Sequence, residues 1–526
     1  MVTTTVALGL TVATLVAFTV VGIWFSRGRV DSVEDLISAR NSAGEGRLTA
    51  TLIASVMGVW ILLSAPEAGA VFGIAAVVGY AVGEAVPMLA YSKIGPRIRE
   101  VIPNGHSLTE YAYVRYGEGM YAFVLLVTVS YMFIFVAAEL TGISLALSLV
   151  ASVPQWQTAT LVGGFVLLYT GYGGLRASIV TDTIQAVLVL PLLLVAFATV
   201  ILALGGPGAV YEGIAAADPA LLDPTAAGGF RFGIALALAI LGAELINQTW
   251  WQRLYAGTDG PTVERSFRNA TIANGAIVLL AALFGVIAAG HVAVETPAVA
   301  FFTLIGAVFP EWLVLGVVLL ALLLVMSSVD TLFNALSSVV TADLPRLLDD
   351  PSDRLLTGGA RALTVGVAIA AVVVSLRARS VLELFLFADL LGAAVAIPLF
   401  YGLFSDRLTG RGALASSVAG LAVGASVFPF PLGIGEALRA IPVLGGVLPA
   451  PDALYLASFA GAFLTAGVLT VAFARLSSRE YDFERLTREI RRLDRPMADG
   501  GVPAPDGGKP STDAGEGSTG ASPTGG

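Results

Sequence analysis

Eight carboxylates interrupt long apolar runs of the chain: Glu67, Glu84, Glu139, Asp182, Glu244, Asp330, Glu383 and Asp389. A charge at the centre of a bilayer costs at least ~2.5–3.5 kcal/mol on insertion scales, so an acid in such a run is a functional candidate by default. Few basic residues lie at matching depth. The acids are therefore protonated, line a wet cavity or meet a cation, and all three outcomes point to passage of an ion or solute. Glu67 and Glu383 also fit a plainer role at helix ends among the lipid headgroups.

The second chemical signal is Leu324-Val325-Met326-Ser327-Ser328-Val329-Asp330. Hydroxyls inside an apolar helix commonly donate back to carbonyls one turn earlier, which is the plain reading of the pair. The sharper reading is a sodium site, since a small hard cation takes oxygen ligands. Two hydroxyls and the carbonyls freed by a broken helix supply them without a buried net charge. A candidate break is Ala54-Ser55-Val56-Met57-Gly58, with Pro66 closing that span.

These residues need a membrane scaffold, and the composition supplies one. Of 526 residues 56 % are hydrophobic and 13 % charged, with a mean hydropathy of +0.84. That excludes a soluble enzyme and defines a polytopic helical protein solvated by lipid. A net charge of −9 argues against a nucleic-acid partner. With no cysteine and only His106 and His291, the chain lacks thiol chemistry and the ligand spacing of a transition-metal site. No cofactor is implied beyond sodium as a coupling ion, and no obligatory protein partner is evident.

Segments of about 20 apolar residues cross the roughly 30 Å hydrocarbon core. Thirteen are expected, near 5–25, 48–65, 70–91, 119–150, 158–175, 179–204, 229–252, 270–292, 312–341, 361–376, 380–403, 412–430 and 453–475. With the N-terminus outside, 25 Lys and Arg fall on the inner side and four outside (Arg231, Arg377, Arg379 and Arg439). This asymmetry predicts a multi-pass plasma-membrane protein with an outer N-terminus and a cytoplasmic C-terminus. The Glu/Arg-rich stretch 480–495 reads as a solvated helix, and the Gly, Pro and Ser-rich chain from about Asp499 as a disordered tail.

Three groups of residues together resemble the sodium:solute symporter family. Gly173-Gly174-Leu175-Arg176-Ala177 followed by Thr181-Asp182-Thr183-Ile184-Gln185 is similar to one signature. Ser327-Ser328-Val329-Asp330-Thr331 with Asn334 and Thr341-Ala342-Asp343-Leu344 is similar to another. Asn247-Gln248 with Gln252-Arg253 matches a third, and Ser107-Leu108-Thr109-Glu110 with Arg115-Tyr116-Gly117 adds support. The resemblance implies an all-α LeuT-type fold with two inverted repeats of five helices, at 48–204 and 229–403. One extra helix and a linker (1–47) would precede them and an extracellular loop (205–228) would separate them. Two peripheral helices (404–476) and the cytoplasmic helix and tail (477–526) would follow.

The resemblance also implies a sodium site of the Ser327 and Ser328 hydroxyls with the carbonyls of Ala54, Met57 and Leu324, and sodium release past Asp182. Val56 stands where the proline-carrying branch has an aspartate. Trp60, Ile61, Ile240 and Ala243 replace the sugar-contacting residues of another branch, so neither proline nor sugar is the expected cargo. Trp60, Glu139, Glu244, Asn247 and Gln248 are the candidate solute contacts, and an ionised Glu139 would suit a cationic solute. The expected activity is sodium-coupled import of a small organic solute by alternating access. The alternative is proton coupling through Glu139, Asp182 or Asp330, with the serines only structural. The substrate, the stoichiometry and the oligomeric state are not legible.

Overall fold

The computed structural model describes residues 2–26, 39–347, 353–429, 437, 449–450 and 453–491; at 25, 26, 169, 171–174, 176, 177, 342, 344–347, 353, 354, 356 and 357 it describes the backbone alone. The described chain is helical: α1 (Thr4–Ser26), α2 (Glu45–Val56), α3 (Ser64–Val101), α4 (Leu108–Tyr116), α5 (Glu118–Ala151), α6 (Gln155–Ala203) and α7 (Pro207–Ala217). After these come α8 (Ala227–Leu245), α9 (Gln248–Ala256), α10 (Gly260–His291), α11 (Ala300–Val308), α12 (Glu311–Leu347) and α13 (Asp353–Ser375). The last are α14 (Val381–Tyr401), α15 (Gly410–Val427), α16 (Leu454–Leu476) and α17 (Glu484–Glu489).

Among the described residues ten helices are long and apolar enough to cross a bilayer, against thirteen expected spans. The difference has three sources. The second span is broken, the fifth and sixth share the helical run α6, and α15 is only 18 residues long and rich in Gly, Ser and Ala. Lipid-facing flanks expose Val187, Leu194, Leu202, Leu464 and Val468, as an apolar solvent requires.

The second span breaks at Met57 and Gly58, within the expected stretch, but Pro66 does not end it. Helix α2 stops at Val56, Met57 and Gly58 are extended, and a 3-10 turn (Val59–Leu62) leads into α3. Pro66 falls in the first turn of α3, where no backbone donor is needed. Helix α3 itself doubles back at Gly73, whose φ of +67° suits a residue without a Cβ. A straight helix would hold Ser64 and Tyr80 roughly 24 Å apart at 1.5 Å per residue. Their hydroxyls are 2.9 Å apart. The boundary between the second and third spans is therefore Gly73, not 65–70.

The seventh span, expected at 229–252, is also broken. Asn247 accepts the Thr249 N–H at 2.9 Å and so caps α9, which ends α8 at Leu245 and restarts the helix at Gln248. Asp259 likewise caps α10; the Thr262 side chain and backbone N–H hold its carboxyl below the usual range.

Small residues set the closest helix contacts, as membrane bundles favour. Gly285 lies against the Pro66 carbonyl, Gly79 against Gly233, and Gly242 and Gly392 against Ala393 and Ala243. At the other end of the chain, the expected solvated helix is reduced to α17. Leu486 and Ile490 are buried, and Tyr481 donates to the Val114 carbonyl at 3.1 Å, so this segment docks on the bundle. The expected tail from Asp499 and most of the linker after α1 lie outside the described residues.

Candidate functional site

Two cavities lie beside the broken second span. The inner one, about 270 Å³, is lined by Ala54 and Met57 from that span, Leu324 and Ser327 from α12, and Gln185 and Val189 from α6. Four of the five residues expected to ligate sodium thus share one cavity. Ser328 does not line it; its hydroxyl turns toward Glu139.

Ser327 organises this region. Its Oγ stands 2.6 Å from Asp182 Oδ1 and 3.0 Å from the Ala54 carbonyl oxygen. A hydroxyl carries one proton, and the nearer, charged acceptor takes it. The Ser327 and Ala54 oxygens are then left facing each other with no proton between them, a corner that suits a hard cation. Gln185 adds to it, because both of its amide atoms are buried and make no hydrogen bond among the described residues.

Asp182 is fully buried in the protein. Thr51 donates to its Oδ2 at 2.6 Å, and Arg253 pairs with the same oxygen at 2.9 Å. Arg253 reaches on to Thr331 at 2.8 Å and Thr51 at 3.1 Å, so one guanidinium joins α2, α6, α9 and α12. The sequence reading counted Arg253 among the inner-loop charges. In the structure it is fully buried, because α9 carries it back into the bundle behind Trp250 and Trp251. Asp330 has its own partners, Ser178 at 2.8 Å and Thr181 at 3.3 Å.

Glu139, an expected solute contact, lines neither of the two cavities. Its Oε2 accepts the Val59 N–H at 2.7 Å, where it satisfies the start of the second half of the broken span. A Cβ on Gly58 would sit 1.8 Å from Glu139 Oε1, so any larger residue there would have to displace the carboxylate. Gln248, another expected contact, accepts the Leu108 N–H and donates to the His106 carbonyl and Ser338. Trp250 and Trp251 pack against Tyr91, Phe267, Tyr111 and Phe400, away from both cavities.

The second cavity, about 280 Å³, is lined by Trp60, Tyr80, Glu84, Phe135, Ile240, Glu244, Phe385 and Asp389. Two expected solute contacts, Trp60 and Glu244, meet here. Asn247 stands behind, donating to Glu244 Oε2 at 2.7 Å while Tyr131 donates to Oε1 at 3.1 Å. Trp60 stacks on Tyr80 at 5.5 Å and meets Phe385 edge-on at 6.0 Å. Glu84 and Asp389 appear in the sequence as acids in apolar runs, but nothing in their spacing joins them to Glu244. That junction is made by the packing of α3, α8 and α14.

Comparison with known proteins agrees with this arrangement. The chain is 26 % identical over 385 residues to a spermidine transporter of Candida albicans, covering 72 % of this chain and 71 % of the relative. It is 23 % identical over 434 residues to a urea-proton symporter of Oryza sativa subsp. japonica, covering 74 % of this chain and 60 % of that relative. Its fold matches that of a Na+-coupled sialic acid symporter in a substrate-bound outward-open state with a TM-score of 0.73. That match has 16 % identity and covers 90 % of this chain and 98 % of the other. The fold is of the LeuT type, and the protein is a solute symporter, not an enzyme. The sodium:solute symporter profile matches residues 37–420, and the chain belongs to the sodium:solute symporter family.

Proposed function

We propose that the chain couples inward sodium movement to import of a small organic solute by alternating access. The observation that carries the reading is that Ser327 Oγ lies within 3.0 Å of the Ala54 carbonyl oxygen while Asp182 competes for its one proton, in a cavity shared with Met57, Leu324 and Gln185. A sodium ion there ties α12 to the broken span and favours the state that presents the solute cavity. Solute enters between Trp60, Glu244 and their neighbours. Closure toward the outside then opens the inner path, and sodium leaves past Asp182.

The driving force is adequate. A membrane potential of ~100 mV supplies about 2.3 kcal/mol for one charge moved inward, roughly a 50-fold accumulation of solute before any sodium gradient. The orientation that serves this is an outer N-terminus and a cytoplasmic C-terminus in the plasma membrane.

The rival reading is proton coupling, which the name of the rice relative favours. Uptake into proteoliposomes at fixed pH, with sodium replaced by potassium, separates the two. Sodium coupling predicts that uptake falls to the leak rate; undiminished uptake in potassium transfers the coupling role to protons.

A further inference from the structure

The second cavity combines features that a generic solute site does not need. Glu84, Glu244 and Asp389 all line it, and among the described residues no Lys, Arg or His pairs with any of them. Glu84 is 4 % exposed, and its Oε2 makes no hydrogen bond. A buried carboxylate oxygen left without a partner costs about 1–3 kcal/mol or more, so an absent donor is expected to meet it.

A metal ion is a poor fit for that donor. Among the described residues no three His, Cys, Asp or Glu side chains converge tightly enough to hold one. The acids share their cavity walls with Trp60, Tyr80, Phe135 and Phe385. Aromatic faces attract organic ammonium groups and pack against methylenes, whereas a hard metal ion needs a complete oxygen shell. A neutral solute would supply no counter-charge to three acids gathered in one cavity. A carboxylate-bearing solute would meet no basic side chain in the walls.

We propose that the cavity takes a linear aliphatic di- or polyamine, its separated ammonium groups met by Glu84, Glu244 and Asp389 and its methylenes by Trp60, Tyr80, Phe135 and Phe385. This rests on the transport reading above and names its cargo. Tyr131 and Asn247 act as positioning residues, holding the Glu244 carboxylate toward the cavity.

The test uses the purified full chain in proteoliposomes with radiolabelled spermidine and an inward sodium gradient. Unlabelled putrescine, spermidine, n-butylamine, choline, urea and manganese compete. The expected result is saturable spermidine uptake that putrescine inhibits at least tenfold better than n-butylamine or choline, with no inhibition by urea or manganese. Glu84→Gln and Asp389→Asn should each weaken spermidine binding at least tenfold while sodium still raises the melting temperature. Equal inhibition by n-butylamine and putrescine overturns the proposal, as does unchanged spermidine binding in both variants or displacement by manganese. The competition series on the unmodified chain decides alone if the variants fail to fold. Sodium-stimulated urea uptake without spermidine binding removes the polyamine site and leaves sodium coupling intact. Spermidine uptake indifferent to sodium leaves the site intact and removes sodium coupling.

Discussion

Arg253 and Asp182 form an ion pair of 2.9 Å in which neither side chain is exposed. Removing one member of a buried pair leaves an uncompensated charge and costs about 3–5 kcal/mol. Asp182→Asn and Arg253→Met should therefore each lower thermal stability markedly, and the double variant should recover part of the loss. A double-mutant cycle on detergent-solubilised protein measures it. Additive losses would show that the two groups act separately.

Ser327→Ala removes the hydroxyl between Asp182 and the Ala54 carbonyl and leaves the backbone unchanged. The sodium concentration for half-maximal uptake should rise at least tenfold, roughly the loss of one charge-assisted contact of about 1.5 kcal/mol or more. The elution profile should stay that of the unmodified protein. An unaltered sodium dependence would take Ser327 out of the site.

Gln185 gives a prediction of opposite sign for stability and function. Its buried amide has no partner, so Gln185→Leu removes an unsatisfied group worth about 1–3 kcal/mol. The variant should melt higher in sodium-free buffer yet need more sodium for half-maximal uptake. A melting temperature that falls would mean that the amide has a partner in the native membrane.

Gly58→Ala drives a methyl group into the Glu139 carboxylate, 1.8 Å from Oε1. Expression and thermal stability should fall sharply. Pairing it with Glu139→Ala should restore part of the stability by making room, at the cost of the Val59 N–H acceptor. If the pair is no better than Gly58→Ala alone, the clash is not the cause.

The parts of this molecule that were legible in its sequence are those encoded locally. Apolar runs show the spans, and an adjacent serine pair in one of them marks Ser327. What was missed depends on distant segments meeting. Glu139 reads as an isolated acid in a span, and nothing in its own surroundings shows that the Val59 N–H, freed by a break 80 positions earlier, meets one of its oxygens. Arg253 reads like a loop charge because it follows the end of an apolar run, and only the cap at Asn247 turns it inward. The fold-back at Gly73 leaves no trace in hydropathy, since both of its arms are apolar.

That fold-back makes one jaw of a caliper. Trp60, Tyr80 and Glu84 are carried on a single doubled length of chain, stitched by the Ser64–Tyr80 bond. The opposing acids, Glu244 and Asp389, sit on α8 and α14, which are interlocked through Gly242 and Gly392. Each jaw is assembled before any solute arrives. On the polyamine proposal, the gap between the two jaws sets the length of the chain that is carried.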